Sequence, residues 1–344
     1  MTDLPLLIAS LVPAAILGFA AHRAGICTVK AVAEVVTTRR VHMLVSFGKT
    51  VLWVMLMTMV LTLLFAAPAG SGHTGWAFSA SAIAGGLTFG VGAALNRGCA
   101  VSTLTKLMDG ELTMAATVLG MLAGTSAEIA LASGGHLPRP VPAGSALGPE
   151  ASWIPVALAG LALWALWETG SKFLRRAPEG TVRTRIAAER YRLSSAAALI
   201  GICNAALFFI FGTWIFTGAL VRTVTGLVDG SGATSALLLW CLFAAVLTGM
   251  MISSTQRGSF RLRRPDARRA AMHFAAGTLM GFGAAMAPGG NDALILNTIP
   301  NLSPHALPTF AAMLAGILAV LGAMRLFGGT IPPVDCTGDI CMND

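Results

Sequence analysis

Charged residues are scarce in this sequence. Only 11% of its 344 residues are Asp, Glu, Lys or Arg, whereas a soluble globular protein carries about 25%. A chain with so few charges cannot cover a water-facing surface of its own size, and its mean hydropathy is +0.75. The composition therefore excludes a soluble globular protein and predicts an integral membrane protein.

Four long stretches contain no charged residue at all. They lie between Lys49 and Arg97, Arg192 and Arg222, Asp229 and Arg257, and Asp292 and Arg325. A helix crosses the hydrocarbon core with about 20 apolar residues, so several of these stretches hold one span or more. A β-barrel would instead show segments of about ten residues with alternating hydrophobicity, which the sequence lacks. The predicted fold class is an all-α integral membrane protein.

The residue patterns that mark enzymes are also missing. There is no metal-ligand spacing, nucleotide-binding loop or catalytic triad, and the six histidines do not pair at helical spacing, as a haem or iron site would require. We therefore expect no catalytic residue, no metal and no cofactor. The six cysteines do not form a secreted disulfide framework. For Cys336 and Cys341 in the tail we expect an unstructured, reduced pair, with a metal or redox clip as the alternative.

Basic residues are concentrated in two loops. The segments 171–192 and 257–269 together hold 13 of the 23 Lys and Arg residues. Basic loops between apolar spans mark the cytoplasmic face, so this charge indicates membrane orientation rather than nucleic-acid binding. The N-terminus lacks a basic n-region, and the first apolar stretch is predicted to be a retained span rather than a signal peptide. The scheme places the N-terminus outside and the C-terminus inside.

The apolar stretches predict about nine transmembrane helices. They lie near 5–21, 43–66, 79–96, 112–132, 152–170, 194–212, 234–255, 270–287 and 305–327. Four shorter, glycine-rich segments separate some of them, near 23–38, 97–108, 213–225 and 288–303. These are predicted to be re-entrant, because irregular backbone at membrane depth is tolerated only where protein or a water-filled cavity surrounds it.

An internal repeat relates the two halves. The pattern Gly-x-Gly-Ala-Ala occupies 90–94 and recurs 191 residues later at 281–285, and the same offset places Cys99 on Gly290. The basic loops give equivalent spans opposite directions, which is the inverted-repeat plan of many transporters. The predicted organisation is a first half at 1–150, a connector helix with its basic cytoplasmic loop at 151–193, a second half at 194–328 and a flexible tail at 329–344.

Two short segments place a cysteine at a loop-to-helix junction. They contain Gly25-x-Cys27 and Arg97-Gly98-Cys99. Glycine allows close backbone approach to a ligand, and a helix N-terminus attracts an anion. A cysteine there can donate its S–H or ionise more readily than a free thiol. The alternatives are that the cysteines pack as small apolar groups and that the arginine reaches a nearby interface.

The equivalent segments of the second half offer polar groups without a thiol. Thr217 lies in one, and the other contains Gly289-Gly290-Asn291. A contact from Asn291 or from the backbone of Gly290 to a ligand is the functional hypothesis. Helix capping by the asparagine is the alternative.

These motifs resemble those of the YeeE/YedE family of thiosulfate transporters. The similarity rests on Gly90-x-Gly92 followed by Gly98-Cys99, on Gly25-x-Cys27, and on the later Trp214-Ile215-x-Thr217-Gly218 and Gly289-Gly290-Asn291. It covers nearly the whole chain. The resemblance implies an hourglass-shaped protein of the bacterial inner membrane whose short helices meet at the centre of the bilayer. It also implies thiosulfate uptake through S–H hydrogen bonds, and a small cytoplasmic sulfur-carrier protein as a partner.

One position departs from the family pattern. Family members commonly have Gly-Cys-Asn where this chain has Gly289-Gly290-Asn291, so only Cys27 and Cys99 match its three central cysteines. Either two thiols with backbone N–H groups suffice, or the cargo is a related compound such as sulfite, a polysulfide or a selenium analogue.

Three functions follow as hypotheses. The first is import of thiosulfate or a similar small sulfur-containing anion, drawn by Arg97 and helix N-termini and passed between Cys27 and Cys99. The second is a membrane sulfur relay that forms persulfides on these cysteines. The third is transport of another small solute, with cysteines that only pack.

Overall fold

The computed structural model describes residues 4–65, 74–144, 152–175, 188–212, 214–228, 230, 233–331, 334–337 and 339–342. About three quarters of them are helical, almost none lie in strands, and the prediction of an all-α protein is confirmed. Much of the basic loop predicted at 171–192 lies outside the described residues. The boundaries of the four predicted regions stay a prediction.

The first half contains α1 (Leu4–Ala24), α2 (Thr28–Thr38), α3 (His42–Leu64), β1 (Thr74–Trp76), α4 (Ala80–Leu95), α5 (Ala100–Met108), α6 (Met114–Ser133) and β2 (Pro142–Gly144). Helix α7 (Ile154–Arg175) follows as the connector. The second half contains α8 (Leu193–Phe211), α9 (Phe216–Val228), α10 (Ala233–Arg257), α11 (Ala267–Met286), α12 (Asn291–Ala293) with a π-helix at Leu294–Thr298, and α13 (Ala306–Leu326). Strands β1 and β2, which are distant in sequence, pair antiparallel with each other. Strands β3 (Asp335–Thr337) and β4 (Ile340–Met342) pair as a hairpin.

Within the described residues, seven helical segments are long and apolar enough to cross a membrane, or eight if α11 and the bent segment after it form one span. Helix α4 has 16 residues, fewer than the roughly 20 that span a hydrocarbon core. The count of nine spans and the re-entrant nature of the short segments stay predictions. Each predicted short segment does contain a short helical element: α2, α5, α9 or α12 with its π-helix.

Helices of one half pack against those of the other in matching pairs. Helix α1 packs on α10 while α3 packs on α8, and α6 packs on α11 while α4 packs on α13. Helices α4 and α11, which carry the repeated glycine motif, also pack on each other. This reciprocal pattern is the one that two inverted repeats would produce, and it brings the short helices between the two sets of long ones.

Close helix contact depends on the repeated glycines. A Cβ at Gly90 would lie 2.1 Å from the carbonyl oxygen of Met313 in α13, and one at Gly281 would lie 2.0 Å from that of Met121 in α6. No side chain fits at such distances. Small residues are how membrane helices gain contact, because lipid offers no hydrophobic force to drive them together.

Loops and helix ends gather on one side of the molecule, which we call the basic face: residues 39–41, 109–111, 188–193 and 257–264. Asp109 joins this face to α1 and α10, since its carboxylate accepts hydrogen bonds from His22 of α1 (3.1 Å), Ser254 of α10 (2.7 Å) and Ser259 (2.6 Å). Burial raises the pKa of Asp109, but these donors outweigh it and lower the pKa to about 2. The carboxylate is therefore ionised at neutral pH.

The C-terminal segment forms a hairpin on the basic face. Cys336 and Cys341 are buried and joined by a disulfide, so the expectation of an unstructured, reduced pair is wrong for these residues. The hairpin is held by Arg40 and Arg190, which donate to the carbonyl oxygens of Cys336 (3.0 Å) and Cys341 (2.6 Å). Cys336 and Cys341 are five positions apart in the sequence. The sequence does not reveal the cationic surface on which the hairpin docks.

The disulfide is expected to hold this hairpin against α8. The backbone N–H of Leu193 donates to the Asp339 carbonyl oxygen at 2.7 Å, so hydrogen exchange at Leu193 reports on docking. Closing so short a loop is worth about 2 kcal/mol. In a Cys336→Ser/Cys341→Ser variant we expect exchange at Leu193 to accelerate roughly 30-fold. Cys241→Ser, which changes a free cysteine in α10, is the control, and equal exchange in all three proteins would contradict the prediction.

Candidate functional site

The two family-matching cysteines occupy equivalent places on two short helices. Cys27 is the residue before α2 and Cys99 the residue before α5, each with extended backbone. Their exposed fractions are 0% and 1%. Both thiols therefore lie at helix N-termini inside the protein, where backbone N–H groups lack helical partners.

The thiols are direct neighbours. The Cys27 thiol donates to Ser102 Oγ at 3.3 Å, and Ser102 Oγ donates in turn to the Cys99 carbonyl oxygen at 3.1 Å. The side chains of Cys27 and Cys99 interact with each other. The Cys27 sulfur also lies near the backbone N–H of Cys99, and the Cys99 sulfur lies near the backbone N–H of Thr28. The geometry thus joins two segments that are far apart in sequence into one buried thiol pair.

The glycines before the cysteines serve different geometric needs. Gly25 has φ 60°, a left-handed conformation that favours glycine. At Gly98 the constraint is space, since a Cβ there would lie 2.6 Å from Ser102 Oγ. Both predicted glycines therefore shape the approach to the thiol pair.

Arg97 is not part of the buried cluster. Its side chain is exposed, its backbone has φ 54°, and its carbonyl oxygen accepts a hydrogen bond from Lys106 Nζ at 3.0 Å. The nearer cation is Lys30, one turn into α2, which interacts electrostatically with both thiols. The sequence alone gives no reason to single out Lys30, because nothing in it shows which face of α2 meets α5.

Asn96 organises the turn that carries Cys99 and was not predicted as a site residue. It is fully buried, and its amide donates to the Gly98 carbonyl oxygen at 3.0 Å and to Thr103 Oγ1 at 2.8 Å. Its Oδ1 accepts from Thr117 at 2.7 Å and lies 2.8 Å from Nδ1 of His273. The sequence signal was an amide at the end of an apolar helix, which does not reveal four partners.

The second-half residues meet the first half through a buried polar link. Asn291 Nδ2 lies 3.1 Å from the hydroxyl oxygen of Thr28, the residue after Cys27. Thr217 donates its hydroxyl and its backbone N–H to the carboxylate of Asp292, and it accepts from the backbone N–H of Gly290 at 3.0 Å. Asn291, Gly290 and Thr217 are thus close to the thiol pair, with Asp292 as an additional member.

The structure leaves no room for a side chain at Gly290. A Cβ there would lie 2.7 Å from Thr217 Cγ2 and 2.8 Å from Cε2 of the buried Phe89. Gly289 before it has φ 139°. The backbone of Gly290 matches that of Cys99, with φ −80° against −78°. The two equivalent positions therefore share a backbone conformation, and only Cys99 carries a thiol there.

Long apolar helices around buried thiols on short helices are the features of a multi-pass membrane protein. A family model described as sulphur transport matches residues 23–319, a range that includes both thiols and all four short helical segments. The chain belongs to this sulphur-transport family, the YeeE/YedE family. No curated protein sequence matches it. The protein is accordingly a membrane transporter of a sulfur compound.

Proposed function

We propose that the protein imports thiosulfate, or a closely related small sulfur-containing anion, along a path through the buried thiol pair. The observation that carries this proposal is the contact of Cys27 and Cys99 at two helix N-termini inside the protein. Helix N-termini favour an anion, and Lys30 adds a positive charge nearby. Arg97, exposed at the adjacent turn, lies with Lys106 toward the basic face and adds positive charge where the anion leaves the thiols.

Thiols suit the passage of such an ion. An S–H group is a weak donor, so it can replace part of the hydration of a soft sulfur anion without holding it firmly. Conduction requires several weak contacts in sequence rather than one tight site. Gly25 and Gly98 keep the backbone clear beside the thiols, while Thr217, Gly289, Gly290 and Asn291 form the second-half end of the path.

The orientation of the protein in the membrane follows from the distribution of charge. Positively charged loops stay in the cytoplasm, so the basic face is the inner side of a bacterial inner membrane, with the N-terminus outside and the C-terminus inside. A small sulfur-carrier protein is the partner that would receive the cargo at this face.

Uptake of radiolabelled thiosulfate tests the proposal directly. Cells lacking their own importers should accumulate label when they express the wild-type protein and should not with an empty vector. Excess unlabelled thiosulfate should compete, while sulfate should not, because sulfate lacks the soft terminal sulfur. No uptake by well-expressed protein would contradict thiosulfate import, and the same assay would then be run with sulfite and selenium analogues.

The contact between the thiols also favours a second function, a sulfur relay. In that case a thiolate attacks the terminal sulfur of thiosulfate, forms a persulfide and releases sulfite, and the neighbouring cysteine lies within reach for transfer. Mass spectrometry of the purified protein after thiosulfate exposure separates the two functions. An added sulfur on Cys27 or Cys99 indicates a relay, whereas unmodified cysteines indicate permeation.

A further inference from the structure

A partly enclosed cavity of about 70 Å³ lies beside the thiol pair. Its wall includes Ile26, next to Cys27, and Val101, two residues after Cys99. Trp214, Asn291 and Asp292 line it from the second half. A cavity holds a water from about 10–15 Å³ of volume on this measure, so this space accommodates a small ion.

Trp214 and Asn291 each carry one buried polar atom, Nε1 and Oδ1, that has no hydrogen-bond partner among the described residues. The two side chains are 1% and 2% exposed. Buried polar groups in native proteins are nearly always paired, and an unpaired one calls for an explanation such as a missing ligand. By contrast, the carboxylate of Asp292 is already engaged by Thr217.

The orientation of Asn291 makes both residues potential donors. Its amide nitrogen is placed 3.1 Å from the hydroxyl oxygen of Thr28, but oxygen and nitrogen of an amide exchange places without loss when the partner is a hydroxyl, which can donate as well as accept. With the amide turned, Thr28 donates to Asn291 Oδ1 and the NH₂ group becomes free. The cavity then presents two N–H donors on a wall whose other polar residues are Thr50 and Asp292.

We propose that this cavity is an anion subsite in which Trp214 and Asn291 bind the oxygen atoms of the cargo. The inference rests on the proposed function and deepens it, because it specifies the shape of the cargo. An oxyanion head accepts hydrogen bonds from the indole and the amide, and a weakly hydrated sulfur end packs against Ile26 and Val101. A sulfur oxyanion with one soft end fits this wall better than sulfate, which is polar all round.

The subsite also explains how the chain works without a third thiol. The backbone N–H of Gly290 is engaged by Thr217, and no side chain fits at that position. Position 290 therefore offers an anion neither a free backbone N–H nor a side-chain donor. Trp214, from the other short segment of the second half, supplies the donor at the same level of the protein.

The test uses the purified full-length protein in detergent and equilibrium dialysis with radiolabelled thiosulfate and sulfite. Trp214→Phe keeps an aromatic six-membered ring but removes the five-membered ring with its N–H, and it should weaken binding about tenfold to 100-fold, the range for one hydrogen bond to a charged group. Trp167→Phe, at a position 66% exposed on α7, is the matched control and should bind like wild type.

Thermal unfolding separates binding from structure. Trp214→Phe removes part of a fully buried ring together with the N–H, so its melting temperature without anion should fall below that of wild type. The readout is the stabilisation by thiosulfate, measured from each protein's own anion-free melting temperature, and in the variant it should shrink. Asn291→Leu provides an independent second variant with the same expected pattern. Wild-type binding that both variants retain would overturn the subsite and leave the proposed function standing. No binding of either anion by wild type would overturn both.

Discussion

Replacing Cys99 with alanine is expected to lower thiosulfate uptake at least tenfold. Cys99 contacts the Cys27 thiol, and its own sulfur lies beside the backbone N–H of Thr28. Loss of one hydrogen bond to a charged group costs about 1.5–3 kcal/mol, which in a path of weak contacts acts directly on the rate. Cys27→Ala should behave alike. Initial uptake rates at matched expression are the measurement.

Two free cysteines outside the path supply controls. Cys203 in α8 and Cys241 in α10 have no role in the proposed path, so Cys203→Ala and Cys241→Ala should transport like wild type. Full uptake by both Cys27→Ala and Cys99→Ala would contradict the handover and support the hypothesis that these cysteines only pack.

Serine variants at the same positions distinguish hydrogen bonding from sulfur transfer. A hydroxyl donates a hydrogen bond but forms no persulfide. Cys27→Ser and Cys99→Ser should therefore retain much of the uptake if the anion passes intact. If the protein works as a relay, serine should be as harmful as alanine.

Alanine at Gly281 is expected to destabilise the protein by more than about 3 kcal/mol, at the upper end of what overpacking costs. Its Cβ would lie 2.0 Å from the Met121 carbonyl oxygen, and backbone atoms on both helices cannot yield as a flexible side chain would. The contact between α6 and α11 would have to open. We expect a markedly lower melting temperature in detergent and little folded protein by size-exclusion chromatography.

Two glycines with open space around them provide controls for the alanine substitution at Gly281. Gly48 in α3 and Gly322 in α13 have no atom within 4 Å of a built Cβ. Since alanine is favoured over glycine in a helix by about 0.5–1 kcal/mol, Gly48→Ala and Gly322→Ala should be neutral or stabilising. Equal melting temperatures for all three variants would show that α6 and α11 are not held by close backbone contact.

The comparison of Arg97 with Lys30 shows why a site is harder to predict than a class. Both residues stand beside a cysteine in the sequence, and Arg97 drew the functional prediction because it lies within an apolar region. Its left-handed turn directs the chain so that the side chain is exposed, while Lys30 comes to lie near both thiols. The direction of each helix and the way the helices pair decide which cation lies near the thiols. Neither can be predicted from a single segment.

Composition and local pattern were enough to identify the class, the position of the short segments and the two cysteines. These depend on properties that act residue by residue: the hydropathy of a run, the presence of glycine before a helix, and the excess of basic residues in loops. The recurrence of the glycine motif at 90–94 and 281–285 also indicated that the two halves are related, and the structure places those glycines at close helix contacts.

Contacts between distant segments were decided by the tertiary structure alone. It joins Cys27 to Cys99, fills the space beside Gly290 with Phe89 and Thr217, and docks a disulfide-linked hairpin on the basic face. It also leaves Trp214 with a buried N–H that has no partner within the described part of the chain. Such features arise because packing brings atoms from several helices together at once. The free energy of packing depends on all of these helices, so no single segment of sequence predicts it.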